Sequence, residues 1–231
     1  MKIQINHVTK HFGSLTVLSD ITFDVRQGEF LTIAGPGGCG KSTLLDLISG
    51  LLKPSGGEIL LDGAPVSGAG FAHGVVLQQH ALFPWRTALG NVEFALEATS
   101  VPRGERAGLA RHYLGLVGLG ALDDRYPHEL TAGTRQRVAI ARSLAYDPGV
   151  LLMDEPFAAL DTRTRSSLRE DLLSVWEKTG KTIVLATRSL DEAAYLGRRV
   201  AILTSSPGRV LSLHDTLRDT VSLREAAVSL A

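Results

Sequence analysis

An α/β fold with a parallel-sheet core is predicted for this chain by three features of its sequence. Strand-like and helix-like segments alternate near both ends, around a largely helical stretch of about 86–147. The short continuous apolar runs Val150–Met153 and Thr182–Thr187 are typical of strands buried on both faces of a parallel sheet. A glycine-rich segment joins the apolar run Phe30–Ala34 to a helix-like segment. Together these features indicate an α/β core interrupted by a helical lobe.

Composition limits the classes of function. With 231 residues, the chain is long enough for one large domain or two small lobes. Its 24 basic and 24 acidic residues cancel, so no overall charge attracts it to nucleic acid or to an anionic membrane. The single cysteine, Cys39, cannot form an internal disulfide, which agrees with a reducing compartment. No N-terminal signal segment and no apolar run near the roughly 18 residues of a membrane span are recognised. We therefore expect a cytosolic chain that reaches a membrane only through a partner.

The first part of the chain is predicted to form strands and one helix. The strand-like segments are Lys2–Val8, part of Val17–Val25, and Phe30–Ala34. A helix is expected after the glycine-rich segment, with one buried face formed by Leu44, Leu47, Ile48 and Leu51. It is expected to end at the turn Pro54–Gly57. The Asp62-Gly63 pair, which favours a primed turn, predicts a hairpin that begins with Glu58–Leu61.

Further elements follow from the same patterns. We expect a strand at Gly74–Leu77, an amphipathic helix at Arg135–Ala145 and another at Arg165–Lys178. Ser189 and Glu192 have the spacing of a capping box, which marks the start of a helix. The last predicted feature is a hairpin formed by Val200–Thr204 and Val210–Leu213, joined through Ser205–Gly208.

The glycine-rich segment carries the strongest functional signal. It fits the pattern G-x-x-x-x-G-K-S at every fixed position, through Gly35, Pro36, Gly37, Gly38, Cys39, Gly40, Lys41, Ser42 and Thr43. Glycines let backbone N–H groups surround phosphate oxygens, and the following helix directs its positive end at the same anion. Lys41 can then reach the β- and γ-phosphates, and the Ser42 hydroxyl can ligate Mg²⁺. A plain glycine turn would not need Lys-Ser after its last glycine, so we expect the chain to bind a nucleoside triphosphate.

Two acidic residues follow the apolar run Val150–Met153. Asp154 and Glu155 therefore lie at the carboxyl end of a predicted buried strand, which is the edge of a parallel sheet where ligands bind. Asp154 suits Mg²⁺, directly or through water, and Glu155 can polarise a water that attacks the γ-phosphate. Two acids at a strand end are often only the start of a loop, but the upstream phosphate loop favours the functional interpretation.

The ordered motifs resemble those of the nucleotide-binding subunits of ABC transporters over nearly the whole chain. They are Phe12-Gly13, the phosphate loop, Gln78, Leu130–Gln136, Asp154-Glu155 and Ala159–Asp161. The stretches Leu82–Arg86 and Tyr126–Leu130 look most like the nitrate, sulfonate and taurine importer branch. The resemblance implies a P-loop NTPase (RecA-like) core with an N-terminal antiparallel β region and an inserted helical subdomain. It implies a nucleotide-binding domain over residues 1–215, with the helical subdomain at about 86–147, and a tail over 216–231.

The resemblance also implies roles by position. Phe12 would stack on adenine, although a lone aromatic residue could equally belong to the core. Gln78 would sense Mg²⁺ and the attacking water, with Gln79 as the alternative if the register differs by one. Asp161 would lie at a dimer seam. The family signature, which would reach the γ-phosphate held by an opposite subunit, begins with Leu130, Thr131, Ala132 and Gly133.

Two positions depart from the family pattern. The signature usually has Leu-Ser-Gly-Gly where this chain has Ala132 at the third position. If that position needs φ > 0 or a close approach of the backbone, a Cβ would cost about 1 kcal/mol. The family carries a histidine after the strand Thr182–Thr187, where this chain has Arg188. A guanidinium only donates and keeps its charge, so Arg188 could hold a γ-phosphate but not relay a proton. It could pair with Glu155 instead, or simply point to solvent.

These observations predict an ATP-binding subunit that couples ATP hydrolysis to import of a small solute, with weak or partner-dependent turnover. The implied cofactors are ATP and Mg²⁺. The implied partners are a second ATP-binding subunit, identical or different, a transmembrane permease and, indirectly, a periplasmic or extracellular solute-binding protein. No nucleic acid is expected, and the expected location is the cytoplasmic face of the membrane.

Two other functions remain as alternatives. The chain could be a regulatory or hydrolysis-impaired subunit of a heterodimeric complex, which the departures at Ala132 and Arg188 favour. A member of the superfamily that acts in DNA repair or translation is disfavoured by the length and the zero net charge. The transported solute stays open between nitrate, sulfonate, taurine and related small molecules.

Overall fold

The computed structural model describes residues 1–68, 73–76 and 81–216. Within these ranges the chain divides into two compact units. The first unit consists of residues 1–68, 152–155 and 181–216, and the second of residues 73–76, 81–151 and 156–180. In chain order the elements are β1 (Ile3–Phe12), β2 (Leu15–Val25), β3 (Phe30–Ala34), α1 (Lys41–Ile48), β4 (Gly56–Leu61), β5 (Ala64–Pro65), β6 (His73–Val76), α2 (Ala88–Glu97), α3 (Arg103–Leu116), a 3₁₀ helix (Pro127–Glu129), α4 (Ala132–Ala145), β7 (Val150–Asp154), α5 (Thr162–Thr179), β8 (Thr182–Thr187), α6 (Leu190–Leu196), β9 (Arg199–Leu203) and β10 (Val210–Asp215).

An antiparallel sheet with the order β2-β1-β4-β5 forms part of the first unit. The first strand is longer than the predicted Lys2–Val8, because it continues to Phe12. Register shifts interrupt β1 after Ile5, and His7 has φ of 53°. Such bulges break the alternation of apolar and polar residues from which a strand is predicted. The sequence pattern therefore stops before the strand does.

The second sheet of the first unit has the order β10-β9-β3-β8-β7. Strand β3 is parallel to β8 and β9, and β10 is antiparallel to β9. Every residue of β3, β8 and β9 is buried, as predicted for a sheet covered on both faces. The backbone N–H of Glu155, directly after β7, donates to the carbonyl of Ala186 in β8. The carboxyl ends of β3, β7 and β8 therefore meet at one edge.

The second unit is built around α4, which packs against α2, α3 and α5. The apolar residues Val138, Ala141 and Leu144, predicted to share one face of this helix, are all buried. Strand β6 and the start of β7 also belong to this unit, and the two strands are neighbours in the strand order. In the described part of the chain, no helix combines the length and the apolar character needed to cross a membrane.

Three details of the predicted helices were wrong. Leu51 lies outside α1, which ends at Ile48, and its side chain is exposed. Helix α4 begins at Ala132 rather than Arg135, and α5 begins at Thr162 rather than Arg165. Both early starts have the same cause, because the side chains of Thr131 and Asp161 cap the helices three residues before the apolar pattern begins.

Candidate active site

The phosphate loop leaves the carboxyl end of β3 and leads into α1. Gly38 and Gly40 have φ of 78° and 94°, the left-handed region that glycine adopts without strain. Lys41 is only 4% exposed, and its Nζ donates to the carbonyl oxygens of Gly35 at 2.8 Å and Pro36 at 2.9 Å. The ammonium group is thus held over the loop by two backbone acceptors.

Residues that the sequence analysis missed support this loop from behind. A Cβ on Gly40 would lie 2.6 Å from Cδ2 of Leu18, and a Cβ on Gly208 would overlap the carbonyl oxygen of Cys39. Gly208 is itself held by backbone hydrogen bonds with Val17 and Ser19. The only available signal was that Gly208 ends a predicted turn, and nothing in the sequence links that turn to the phosphate loop. The loop conformation therefore depends on β2 and on the β9–β10 turn.

Asp154 and Ser42 bring an oxygen-rich pair to the same edge. The Ser42 hydroxyl hydrogen-bonds to the Asp154 carboxylate, while Oδ1 of Asp154 is buried and has no hydrogen-bond partner among the described residues. Burial, and secondarily the charge of Glu155, raise the pKa of Asp154, against the opposing effects of Ser42, Lys41 and Arg188. Burial and the charge of Asp154 also raise the pKa of Asp46. An added cation would relieve this buried negative charge.

The second acid, Glu155, is paired with Arg188. Nε of Arg188 donates to Oε1 of Glu155 at 2.7 Å. The glutamate side chain is 12% exposed and the arginine side chain 62% exposed, so the arginine covers the carboxylate from the solvent side. Nη1 of Arg188 would lie 3.8 Å from a Cβ placed on Gly37. The guanidinium therefore lies beside both the phosphate loop and Glu155.

The segment that carries Arg188 is fixed by its neighbours. The Thr187 hydroxyl donates to Oε2 of the buried Glu192 at 2.6 Å and accepts from the backbone N–H of Ser189 at 3.0 Å. The Ser189 side chain caps α6 by accepting from the backbone N–H of Glu192, as the capping-box spacing predicted. Arg188 is therefore anchored at its backbone while its side chain stays exposed.

Two other predicted residues have different outcomes. Phe12 ends β1 and is 47% exposed, with Nζ of Lys10 5.0 Å from the centre of its ring. The alternative that Phe12 belongs to the core is therefore wrong. Gln78 and the alternative Gln79 lie outside the described residues.

The signature segment and Asp161 lie in the second unit. Ala132 begins α4 and has no positive φ, so the strain expected from a Cβ does not arise. Gly133 is buried, and a Cβ there would overlap Cγ2 of Thr164 in α5. Asp161 caps α5 by accepting from the backbone N–H of Thr164 at 3.0 Å. The starts of α4 and α5 are therefore in contact, and a side chain at Gly133 would separate them.

A comparison with known families decides the identity of this arrangement. A family model described as "ABC transporter" matches residues 18–158, which include the phosphate loop, the signature segment, Asp154 and Glu155. The chain belongs to the ABC transporter family. It is an ABC ATPase subunit, a cassette of the kind that binds ATP.

Two relatives of this ABC ATPase subunit match most of the chain at nearly half identity. An uncharacterised ABC transporter ATP-binding protein of Methanocaldococcus jannaschii is 49% identical over 214 residues, which are 91% of this chain and 80% of that protein. The taurine import ATP-binding protein TauB of Pseudomonas putida is 49% identical over 195 residues, covering 84% of this chain and 74% of that protein. The importer branch suggested by the sequence agrees with this relative.

Solved ABC cassettes confirm the predicted fold class. A dimeric ATP-binding cassette in a post-hydrolysis state, bound to ADP and phosphate, has a TM-score of 0.80 at 32% identity, covering 93% of this chain and 98% of that chain. The cbiO1 protein of Clostridium perfringens, part of the ABC transporter complex cbiONQ, has a TM-score of 0.86 at 28% identity, covering 99% and 95%. The P-loop core with an N-terminal antiparallel sheet, predicted from the motifs, is therefore confirmed.

Proposed function

We propose that this ABC ATPase subunit binds and hydrolyses Mg²⁺-ATP to drive the import of a small solute through a membrane permease. The observation that carries the proposal is the convergence of Lys41, Ser42, Asp154 and Glu155 at one sheet edge of the first unit. A phosphate loop beside a metal-binding acid and a water-polarising acid is the minimum set for phosphoryl transfer to water. The proposal assigns catalysis to Glu155, Lys41 and Gln78.

The residues present fit ATP and Mg²⁺. The phosphates would lie against the loop from Gly35 to Thr43, and the Lys41 ammonium would exchange its carbonyl acceptors for β- and γ-phosphate oxygens. Ser42, Asp154 and Gln78 would hold Mg²⁺, which takes few protein ligands and neutralises charge on the phosphates. The unpaired Oδ1 of Asp154 is the atom that such a site needs. Phe12, exposed at the end of β1, would stack on the base.

The water-activating step depends on Glu155. A carboxylate that is free to accept a hydrogen bond from water can orient it towards the γ-phosphate. Arg188 donates to Oε1 of Glu155, so this oxygen becomes fully available to a water only when the arginine releases or shares it.

The proposed ATP sites are completed by a second subunit. Leu130, Thr131, Ala132 and Gly133 would face the γ-phosphate bound by the partner, and Asp161 would lie at the dimer seam. The dimeric cassette bound to ADP and phosphate, 32% identical to this chain, supports this assignment. The proposed nucleotide-binding domain covers residues 1–215, with a helical subdomain at about 86–147 and a tail over 216–231. The partner subunit is either a second copy or a different cassette.

The solute and the membrane partners follow from the relatives. TauB of Pseudomonas putida is a taurine import protein by name, which supports a nitrate-, sulfonate- or taurine-like substrate. The partners would be a transmembrane permease and, through it, a periplasmic or extracellular solute-binding protein. The chain would work at the cytoplasmic face of the membrane, without nucleic acid.

Reconstitution tests this proposal directly. The chain is purified with its permease, placed in vesicles, and ATP turnover is measured with taurine, an alkanesulfonate or nitrate on its binding protein. We expect one solute to stimulate turnover, and Lys41→Ala to abolish both ATP binding and stimulation. Turnover that no solute changes, in a complex that binds ATP, would refute the import function.

A second function is favoured by one observation, the Arg188–Glu155 pair. A cassette whose catalytic carboxylate is held by an arginine suits a subunit that binds ATP, regulates a heterodimer and hydrolyses slowly. This alternative is tested by measuring ATP binding and turnover of the chain alone and after mixing with a partner cassette. The chain alone should bind ATP without turnover, and the partner cassette should restore hydrolysis at one site of the pair. Rapid turnover by the chain alone would exclude it.

A further inference from the structure

The starts of α4 and α5 share a sequence pattern. The segment Leu130-Thr131-Ala132-Gly133-Thr134-Arg135 is followed later in the chain by Leu160-Asp161-Thr162-Arg163-Thr164-Arg165. In both, a leucine precedes the capping residue, a threonine lies three positions after the cap, and an arginine lies four positions after it. The two segments carry the signature and the proposed seam aspartate, respectively.

The backbone of the two segments is the same. Thr131 has φ −66° and ψ 162°, and Asp161 has φ −65° and ψ 162°. Each caps its helix by accepting from the backbone N–H of the threonine, Thr134 at 3.2 Å and Thr164 at 3.0 Å. The threonine hydroxyls also bond back to the capping side chains. Leu130 and Leu160 are both buried. One local design therefore occurs twice in the second unit.

The arginines complete this design. Nη1 of Arg135 donates to the carbonyl of Leu130 at 2.9 Å and to that of Pro127 at 3.2 Å. Nη2 of Arg165 donates to the carbonyl of Leu160 at 2.9 Å. The carbonyls of Leu130 and Leu160 precede the capping residues, so no N–H of α4 or α5 bonds to them, whereas that of Pro127 also accepts from the backbone N–H of Leu130. Each arginine therefore fixes the chain just before a capping residue.

An arginine close to the N-terminus of a helix is unusual on electrostatic grounds. A cation near a helix N-terminus is opposed by the helix dipole, and acidic residues are normally favoured there. Neither α4 nor α5 has an acidic residue in its first turn. The hydrogen bonds to carbonyls offset this unfavourable interaction, and at α5 the carboxylate of the capping Asp161 offsets it as well. The two starts touch through Gly133 and Thr164.

We propose that Arg135 and Arg165 are positioning residues that hold the signature and Asp161 as one preformed surface, which closes on a second copy of this chain when ATP is bound. The inference rests on the proposed function, because it needs an ATP-driven dimer. In this role the arginines act through the carbonyls of Leu130, Pro127 and Leu160. Their loss should therefore weaken pairing of the subunits without weakening ATP binding by the monomer.

The test uses the full chain with Glu155→Gln, which slows hydrolysis. ATP affinity of the monomer, the melting temperature and the ATP-dependent dimerisation constant are measured for Arg135→Gln, Arg165→Gln and both together. We expect each single variant to weaken dimerisation about tenfold, as for the loss of a charge-assisted hydrogen bond at an interface, with ATP affinity unchanged. The double variant should lose less than the sum, because the two starts are in contact.

A matched control is Arg111→Gln. Arg111 also lies in the second unit and donates to Asp123 at 2.6 Å, but it touches neither segment. It should leave dimerisation unchanged. If Arg135→Gln does not fold, Arg135→Lys decides, because an ammonium can still reach the Leu130 carbonyl and should give a partial loss.

Three results would overturn the inference. They are unchanged dimerisation in both arginine variants, an equal loss in Arg111→Gln, and a parallel loss of ATP affinity and melting temperature. A Glu155→Gln parent that binds ATP but does not pair with itself would overturn it as well, while leaving ATP binding intact. A parent that fails to bind ATP would instead refute the proposed function.

Discussion

The side chain of Arg188 donates from Nε to Oε1 of Glu155 at 2.7 Å, so the proposed catalytic carboxylate is paired within its own subunit. The hydrogen bond to Glu155, followed by its charge, raises the pKa of Arg188. A guanidinium does not lose its proton in the accessible pH range. The arginine therefore keeps its charge, and competition, salt or substitution can open the pair.

Substitution of Arg188 by histidine is expected to increase ATP turnover. An imidazole is shorter and is mostly neutral near pH 7, so Glu155 regains a free oxygen for water. We expect a rise of about tenfold, which is smaller than the 10²–10⁴ of a complete general-base effect because the wild type keeps part of its activity. Glu155→Gln should lower turnover in either background. Steady-state phosphate release on purified protein is the measurement, and equal rates for wild type and Arg188→His would refute impairment.

The same pair predicts a salt dependence. Arg188 is exposed, so added salt screens its attraction to Glu155. Turnover of the wild type should rise between low and moderate ionic strength, while turnover of Arg188→His should not. A matching salt response in both proteins would show that the effect arises elsewhere.

Asp154 is predicted to reduce the stability of the nucleotide-free protein. Its pKa is raised by burial, so the folded state binds the proton more tightly than the unfolded state. Its unfavourable contribution is therefore present at neutral pH and decreases as the pH falls through the raised folded pKa. Asp154→Asn should raise the melting temperature at pH 7 by about 2–4 °C, the shift that roughly 1 kcal/mol gives at this size.

The pH dependence and the response to Mg²⁺-ATP distinguish this effect of Asp154 from a general change in stability. The difference in melting temperature between Asp154→Asn and wild type should shrink towards acidic pH. Mg²⁺-dependent stabilisation by ATP should be lost in the variant, because the amide is a poorer ligand. A variant that is less stable than wild type at pH 7 would contradict the argument.

The buried ion pair between Glu29 and Arg199 should affect the stability of the protein but not its affinity for ATP. Nη1 of Arg199 donates to both carboxylate oxygens of Glu29, at 3.1 and 3.2 Å, and both residues are buried. Arg199 pairs with Leu31 at the start of β3, whereas the phosphate loop follows the other end of that strand. Glu29→Gln should lower the free energy of unfolding by about 3 kcal/mol, because it removes the buried carboxylate that neutralises Arg199 and leaves only the longer contact with the carboxylate of Asp24.

Urea unfolding and ATP titration check this prediction together. Asp24→Asn is the matched control, since Asp24 is more exposed and lies 3.8 Å from the same guanidinium. It should change stability little. A change in ATP affinity in folded Glu29→Gln would show that the two ends of β3 are coupled, against the prediction.

The sequence predicted most of the core because its signals are local. The parallel strands are continuous apolar runs, and the phosphate loop has a fixed spacing, so both were found by pattern. The support of that loop by Leu18 and Gly208 was not predictable, because it joins residues far apart in the chain. The positive φ considered for Ala132 does not occur, for a related reason: whether a position has positive φ depends on where the helix begins, and Thr131 sets that start. The pairing of Arg188 with Glu155 was anticipated because each follows a neighbouring strand.

We predict that Gly133 tolerates no side chain, because of a clash that a second substitution can relieve. In a helix, Gly→Ala normally stabilises by roughly 1 kcal/mol. At Gly133 the new Cβ would overlap Cγ2 of Thr164, whose hydroxyl and backbone N–H both bond to Asp161 and so hold the threonine in place. Gly133→Ala should therefore destabilise by about 1–3 kcal/mol, as overpacking does. Gly108→Ala in α3, where a Cβ meets nothing within 4 Å, should stabilise.

A double-mutant cycle identifies the clash. Thr164→Ser removes Cγ2 but keeps the hydroxyl that bonds to Asp161, so it should restore most of the stability lost in Gly133→Ala. The same rescue should appear in ATP-dependent dimerisation, because the contact joins the signature to the proposed seam. If Thr164→Ser rescues neither quantity, the cost at Gly133 does not arise from the contact between α4 and α5.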